Sequence, residues 1–367
     1  MSFHDDLTSA EFNAELALAG VLGEFWRAAL RNCKAIAEYQ PDLLIGLAHG
    51  GSTPTRATVH LWQRLMRSPP PPVLYTNLGS EKFVRYQAYR HAQGVAAPHA
   101  GIHFSPDVQS DLMEWIPRQA DWLNEFRTQI LSVTGQRIPD TILVIDETVQ
   151  EGRAMLLSLS LLEALFPLAQ ALFMDGPYIS WRETFAWCWL KMTQPAAHAE
   201  VARRTRQDSG DRWRIDNLLK TLAAGTEDVH HESFAFRYLD EDSECLQVLS
   251  EILPAATWLS MQVWIEAQIE AHFRTQTEHS DAATLFQQVG PVFPHDLAAQ
   301  RVVRTLKRSG GITAAEAAAM FHMSTEKAVE LLESMVASSD WQARYSDAPR
   351  IIRTRTRRGL VYHYEGQ

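Results

Sequence analysis

The stretch Ile142–Ala154 reads ILVIDETVQEGRA, and its order decides the fold: an uncharged apolar run, two adjacent carboxylates, a short polar loop with one glycine, then the start of a helical pattern. With Thr141 in front, TILVI is the clearest strand of the chain, short and rich in β-branched residues. A run that is apolar at every position is read as buried on both faces, as in a parallel sheet covered by helices. The helical pattern RAMLLSLSLLEALF follows Gly152, and AQALFMD supplies a further short strand.

Upstream the same order occurs once more. Asp42–Leu47 (DLLIGL) is an apolar run that ends in the loop AHGGSTPT, and the helical pattern TRATVHLWQRLM follows at once. The run Pro69–Pro72 stops that helix, since proline lacks the amide donor and clashes with the preceding turn. PVLYTNL is the next strand. Residues 11–39 place Leu16, Ala19, Leu22, Phe25, Trp26, Leu30 and Cys33 at helical spacing, and Asp111–Val133 does the same through Leu112, Trp115, Ile116, Trp122, Leu123, Phe126 and Ile130. Between them, from Ser80 to about Ser110, lies a long polar loop with the basic, aromatic stretch EKFVRYQAYRHAQG. The strand–helix alternation predicts an α/β domain with a mostly parallel sheet over residues 1–180.

Beyond Gly176 the alternation ends, and residues 181–295 form a mainly helical region with Trp181, Trp187, Trp189, Trp213, Trp258 and Trp264, read as core residues. Residues 296–367 follow a different pattern: the helix DLAAQRVVRTLKRSG, a short helix TAAEAAAMF, a longer one TEKAVELLESMVAS, strand-like WQARY, and the hairpin RIIRTRTRRGLVYHY. Three helices followed by a hairpin predict a winged helix.

The 367 residues are more than one ordinary core requires, so two or three units are expected. No apolar run is long enough to span a bilayer, which predicts no membrane association. The start MSFHDDLTSAEF is acidic where a secretory signal needs a basic start, and Cys33, Cys188 and Cys245 fit neither a disulfide framework nor a thiolate cage. A cytoplasmic protein is expected. From Asp296 onward the chain carries net +3, and the rest carries −13. Only the tail invites polyanions.

Two loops at strand ends carry the chemistry, because ligands of open α/β sheets bind beyond the carboxyl ends of the strands. In Ala48-His49-Gly50-Gly51-Ser52-Thr53 the paired glycines let backbone amides approach an anion, and the helix start adds its positive dipole end; a plain structural turn is the other reading. Asp146-Glu147 offers two carboxylates to vicinal sugar hydroxyls, with Gly152 opening a second anion-sized cradle. The alternative is that Asp146 caps the turn and Glu147 is solvated. His230-His231-Glu232 is not read as a metal site, because adjacent residues point to opposite sides of a helix or strand.

On these residues, ILVIDETVQEGRA resembles the phosphoribosyl-pyrophosphate motif of type I phosphoribosyltransferases, and LLIGLAHGGSTPTRA is similar to that family's pyrophosphate loop. The resemblance covers about residues 40–180. It implies that Asp146 and Glu147 are the catalytic pair, holding the ribose hydroxyls and facing Mg²⁺. Thr148 to Ala154, with Gln150, Glu151, Gly152 and Arg153, would wrap the 5′-phosphate. His49, Gly50, Gly51 and Ser52 would bind pyrophosphate with Mg²⁺, while Lys82 and Arg85 would belong to a lid. The implied ligand is a phosphorylated sugar or nucleotide. The chain departs from the family at Glu151, where threonine is usual, and at Ala154, where a hydroxyl often follows.

Two functions follow from this reading. One is pentosyl transfer on a nucleobase or nucleotide, with Mg²⁺. The other is a nucleotide-sensing regulator with an altered pocket, whose winged helix meets nucleic acid or a protein. In the tail, Ser324 and Thr325 begin the second helix, and Arg353, Arg355, Arg357 and Arg358 are the candidate nucleic-acid contacts, with strand alternation placing the first three on one face. The adjoining helix carries Glu326, Glu330 and Glu333 against Lys327.

Overall fold

The computed structural model describes residues 12–47, 50–76, 115–146, 153–176, 181–207, 255–292, 294, 310–321, 324–342, 350–357 and 359–365. Helix α1 (Ala14–Tyr39) starts at Asn13, whose side chain accepts the Leu16 amide at 3.1 Å, and ends at Gln40 in the left-handed conformation, just before Pro41. Then follow β1 (Leu43–Leu47), α2 (Ser52–Leu65), β2 (Val73–Thr76), a 3₁₀ turn (Ile116–Arg118), α3 (Ala120–Val133), β3 (Thr141–Asp146), α4 (Arg153–Leu165) and β4 (Gln170–Asp175). The four strands form one parallel sheet in the order β2-β1-β3-β4. The chain is α/β, with strand and helix bounds within a few residues of those expected from the pattern.

The sheet is covered on both faces. Leu43, Ile45, Ile142, Val144 and Phe173 point to one side, where they pack with Phe126 and Ile130 of α3 and Leu157, Leu161 and Leu162 of α4. Leu44, Leu143, Ile145, Leu172 and Met174 point to the other, against Phe25 of α1 and Ala57, Leu61 and Trp62 of α2. This period-two division of a continuously apolar run is what burial on two faces requires.

The same core continues into the helices beyond residue 180. These are α5 (Trp181–Thr193), α6 (Pro195–Gln207), α7 (Ala255–Thr277) and α8 (Ala282–Val289). Phe25 meets Trp181 and Phe185 edge-on at 5.0 and 5.4 Å, and Trp26 meets Phe273 at 5.5 Å. Trp181, Trp187 and Trp189 are buried, as core tryptophans should be. Trp213, Cys245 and the His230–Glu232 group lie outside the described residues. No helix among the described residues is long and apolar enough to cross a membrane.

The C-terminal residues build a second, three-stranded antiparallel sheet, β5-β7-β6, from β5 (Ile312–Thr313), β6 (Ile351–Thr356) and β7 (Gly359–Tyr364), with helices α9 (Ala314–Phe321) and α10 (Thr325–Gln342). Its core is small: Ile312, Ala317, Ala328, Leu332, Ile351 and Tyr362 are among its buried members. Two local readings change. Trp341 and Gln342, expected at the start of a strand, finish α10, and Arg357, expected to continue the β6 alternation, sits in the turn after Thr356.

Candidate functional site

Strand order fixes where a ligand can enter. From β1 the chain steps through α2 to β2 on one side, whereas from β3 it steps through α4 to β4 on the other. Right-handed crossovers in opposite directions leave their helices on opposite faces, and α2 and α4 do pack on opposite faces. The boundary between the neighbouring strands β1 and β3 is therefore the switch point of the sheet, where open α/β sheets place their ligand crevice beyond the carboxyl ends of the strands. Gly50, Gly51 and Ser52 stand at the end of one strand and Asp146 at the end of the other.

The contact between these two ends explains the second glycine. A Cβ on Gly51 would lie 2.1 Å from the Ile145 carbonyl oxygen, 2.8 Å from the Leu47 nitrogen and 2.9 Å from the Asp146 Cα. Its φ of −85° is ordinary, so the requirement is for space and not for an unusual backbone. The Gly51 amide donates to the Leu47 carbonyl at 2.6 Å, and the Gly51 carbonyl accepts both the amide and the hydroxyl of Thr55 at 2.9 and 2.6 Å. Gly46 has the same function one turn away: a Cβ there would meet Thr55 Oγ1 at 2.8 Å and the Tyr75 ring at 2.9 Å. Helix α2 is thereby seated end-on at the crevice.

That helix end is suited to negative charge. No acidic residue occupies its first turn, and the N-cap Gly51 has no side chain, so nothing of the helix's own stands in the way of an anion at the positive end of its dipole. Ser52 and Thr53 are buried. Asp146 is half-buried, and the β3–β4 register sets Asp175 directly beside it at the end of the next strand. Asp175 was missed in the sequence reading, although AQALFMD ends in aspartate as TILVID does.

The structure thus brings Gly50, Gly51, Ser52 and Asp146 to one end of the sheet, at the β1–β3 switch point, and places Arg353 and Arg355 on the separate C-terminal sheet. Arg153 opens α4. His49, Lys82, Arg85, Glu147, Thr148, Gln150, Glu151, Gly152 and Arg358 lie outside the described residues. Among the described residues no group of three or more His, Cys, Asp or Glu side chains forms a metal cluster. No protein-family model, curated protein or solved structure matches the chain.

Proposed function

We propose that the crevice between β1 and β3 binds a phosphorylated sugar or nucleotide, and that residues 1–180 are a phosphoribosyltransferase-like domain acting by pentosyl transfer. The observation that carries this reading is Gly51 packed on the backbone of Ile145 and Asp146, which brings the two loops with ligand-like sequence to one switch point. In this reading the N-terminal end of α2, with its positive dipole, takes the pyrophosphate end, and Asp146 accepts hydrogen bonds from the ribose hydroxyls. Mg²⁺ travels with the pyrophosphate and supplies charge neutralisation there. Displacement at the anomeric carbon then depends on fixed charges and dipoles around the sugar, without a protein nucleophile.

The test is calorimetry with phosphoribosyl pyrophosphate and Mg²⁺ on the wild type and on Asp146→Asn. Affinity should fall by about tenfold to a hundredfold, the worth of hydrogen bonds to a charged group. Unchanged affinity in the variant rejects the assignment. The C-terminal helix–helix–hairpin order supports a winged-helix reading of residues 296–367, with exposed Arg355 and Arg357 on the hairpin.

A further inference from the structure

The C-terminal sheet and α10 meet at a polar junction. Tyr362 donates its hydroxyl to Glu333 at 2.8 Å, and Arg353 binds the other oxygen of the same carboxylate. Arg353 is therefore committed within the chain, and a phosphate would have to compete with Glu333 for it. Two oppositely charged arms leave this junction. Along α10, Glu330 lies three residues before Glu333 and Glu326 four residues before Glu330, on the same stripe, and both are exposed. Along the hairpin, Arg355 follows Arg353 on the same face, Arg357 follows in the turn, and both are exposed.

Each arm also carries an apolar residue that its own unit leaves uncovered. Val329 stands on the acidic stripe and is 39% exposed; Leu360 pairs across the hairpin with Arg355 and is 42% exposed. Four helical residues rise about 6 Å, which sets the spacing of Glu326 and Glu330 along the acidic stripe, while Arg355 lies in β6 and Arg357 in the turn that follows. A surface with an acidic half, a basic half and an apolar residue in each is complementary to itself under two-fold rotation.

We propose that this surface is a self-association interface, in which the acidic stripe of α10 (Glu326, Val329, Glu330) docks on the hairpin (Arg355, Arg357, Leu360) of a second copy of this chain. The assignment is independent of what the crevice binds. Nucleic acid fits the surface less well, because the acidic stripe would face its phosphates. Exposed ion pairs contribute little one by one, so the dimer is weak and is weakened further by salt.

Sedimentation velocity of the full chain over a concentration series tests this. The wild type should dimerise at low salt. Arg355→Glu with Arg357→Glu, and separately Glu326→Arg with Glu330→Arg, should each weaken self-association by on the order of a hundredfold, since like charges then face each other. Mixing the two reversed chains should restore a dimer, because every contact is complementary again. Leu360→Ser, which leaves the charges alone, should weaken the wild-type dimer as well. A wild type that stays monomeric, a reversed chain that dimerises as well as the wild type, or a mixture that does not associate overturns the proposal. Wild-type binding to duplex or single-stranded nucleic acid, lost on reversing Arg355 and Arg357 while sedimentation is unchanged, overturns it in favour of a nucleic-acid surface.

Discussion

Leu143 in β3 and Tyr362 in β7 are both almost fully buried at the centre of their sheets, yet different forces bury them. Leu143 has a strand on either side and belongs to an extended apolar core with the helices over its face. Tyr362 has strands on either side too, but among the described residues only helices α9 and α10 pack with it, and its hydroxyl donates to Glu333. The larger sheet therefore rests on packing, which ignores pH and salt to first order. The smaller one depends on a polar tie at the edge of a core that contains several alanines.

If the comparison holds, the largest loss of stability comes from the larger sheet. Leu143→Ala opens a cavity where nothing can relax into it and should cost about 3 kcal/mol or more, read from denaturant midpoints. A cost below about 1 kcal/mol would show that the two-faced core is looser than its burial indicates. Gly51→Ala comes next, at about 2–3 kcal/mol, because the added methyl meets the fixed carbonyl of Ile145 and not a side chain that can turn away. That variant should also lose ligand affinity in the calorimetric experiment, since relief requires α2 to back out of the crevice.

The larger sheet was legible because its strands are short apolar runs closed by Gly, Pro or Asp, and because a run apolar at every position admits few arrangements. Strand order was not legible: that β3 lies beside β1 and not β2 depends on contacts almost 100 residues apart, such as Leu44 against Leu143. The crevice followed from that order, so the sequence named Gly51 and Asp146 separately while their contact emerged only from the fold. In the C-terminal unit, alternation at Arg353 and Arg355 was readable, whereas the commitment of Arg353 to Glu333 was not, since helix and hairpin are 20 residues apart. The two-residue strand β5 also escaped notice, being shorter than any period that could mark it.

A middle-sized effect belongs to the polar tie. Tyr362→Phe removes one hydroxyl and leaves Glu333 with Arg353 alone, which should cost the C-terminal unit about 1 kcal/mol, seen as faster hydrogen exchange of the β6 and β7 amides. The tie also sets a pH dependence of its own. Burial works against the Glu333 charge, but the Tyr362 hydroxyl and the Arg353 guanidinium outweigh it and hold its carboxyl below the ordinary 4.5. A depressed carboxyl stabilises the fold above its unfolded value, so this contribution is lost as the pH falls below about 4.5 through the folded value. Burial first, then the hydrogen bond to Glu333 and its charge, push the Tyr362 phenol from 10.0 up to about 12. A raised phenol stabilises below its unfolded value, and that share is lost as the pH rises from 10.0 through about 12. Exchange at β6 and β7 should therefore accelerate at both limits, with both slopes reduced in Tyr362→Phe. An equal acid response at β1 and β3 would remove the contrast between the sheets.

The smallest effect is expected where α2 meets α7 at the surface. Arg64 and Glu270 are 2.9 Å apart, but their side chains are 29% and 48% exposed, and Arg274 stands 3.6 Å from the same carboxylate. Water already screens this pair, and Glu270 keeps a second cation when Arg64 is removed. Arg64→Ala should therefore change stability by less than about 0.5 kcal/mol, with no more salt dependence than the wild type. About two turns earlier on α2, Arg56 is 3.1 Å from Glu266 but only 17% exposed, and its Nε and Nη2 are buried without a hydrogen bond. There the cost of desolvating the charge offsets the attraction, so Arg56→Met, which retains most of the buried stem, should also be close to neutral. A loss above about 2 kcal/mol in Arg56→Met would mean that charge, and not packing, holds α7 against the crevice helix.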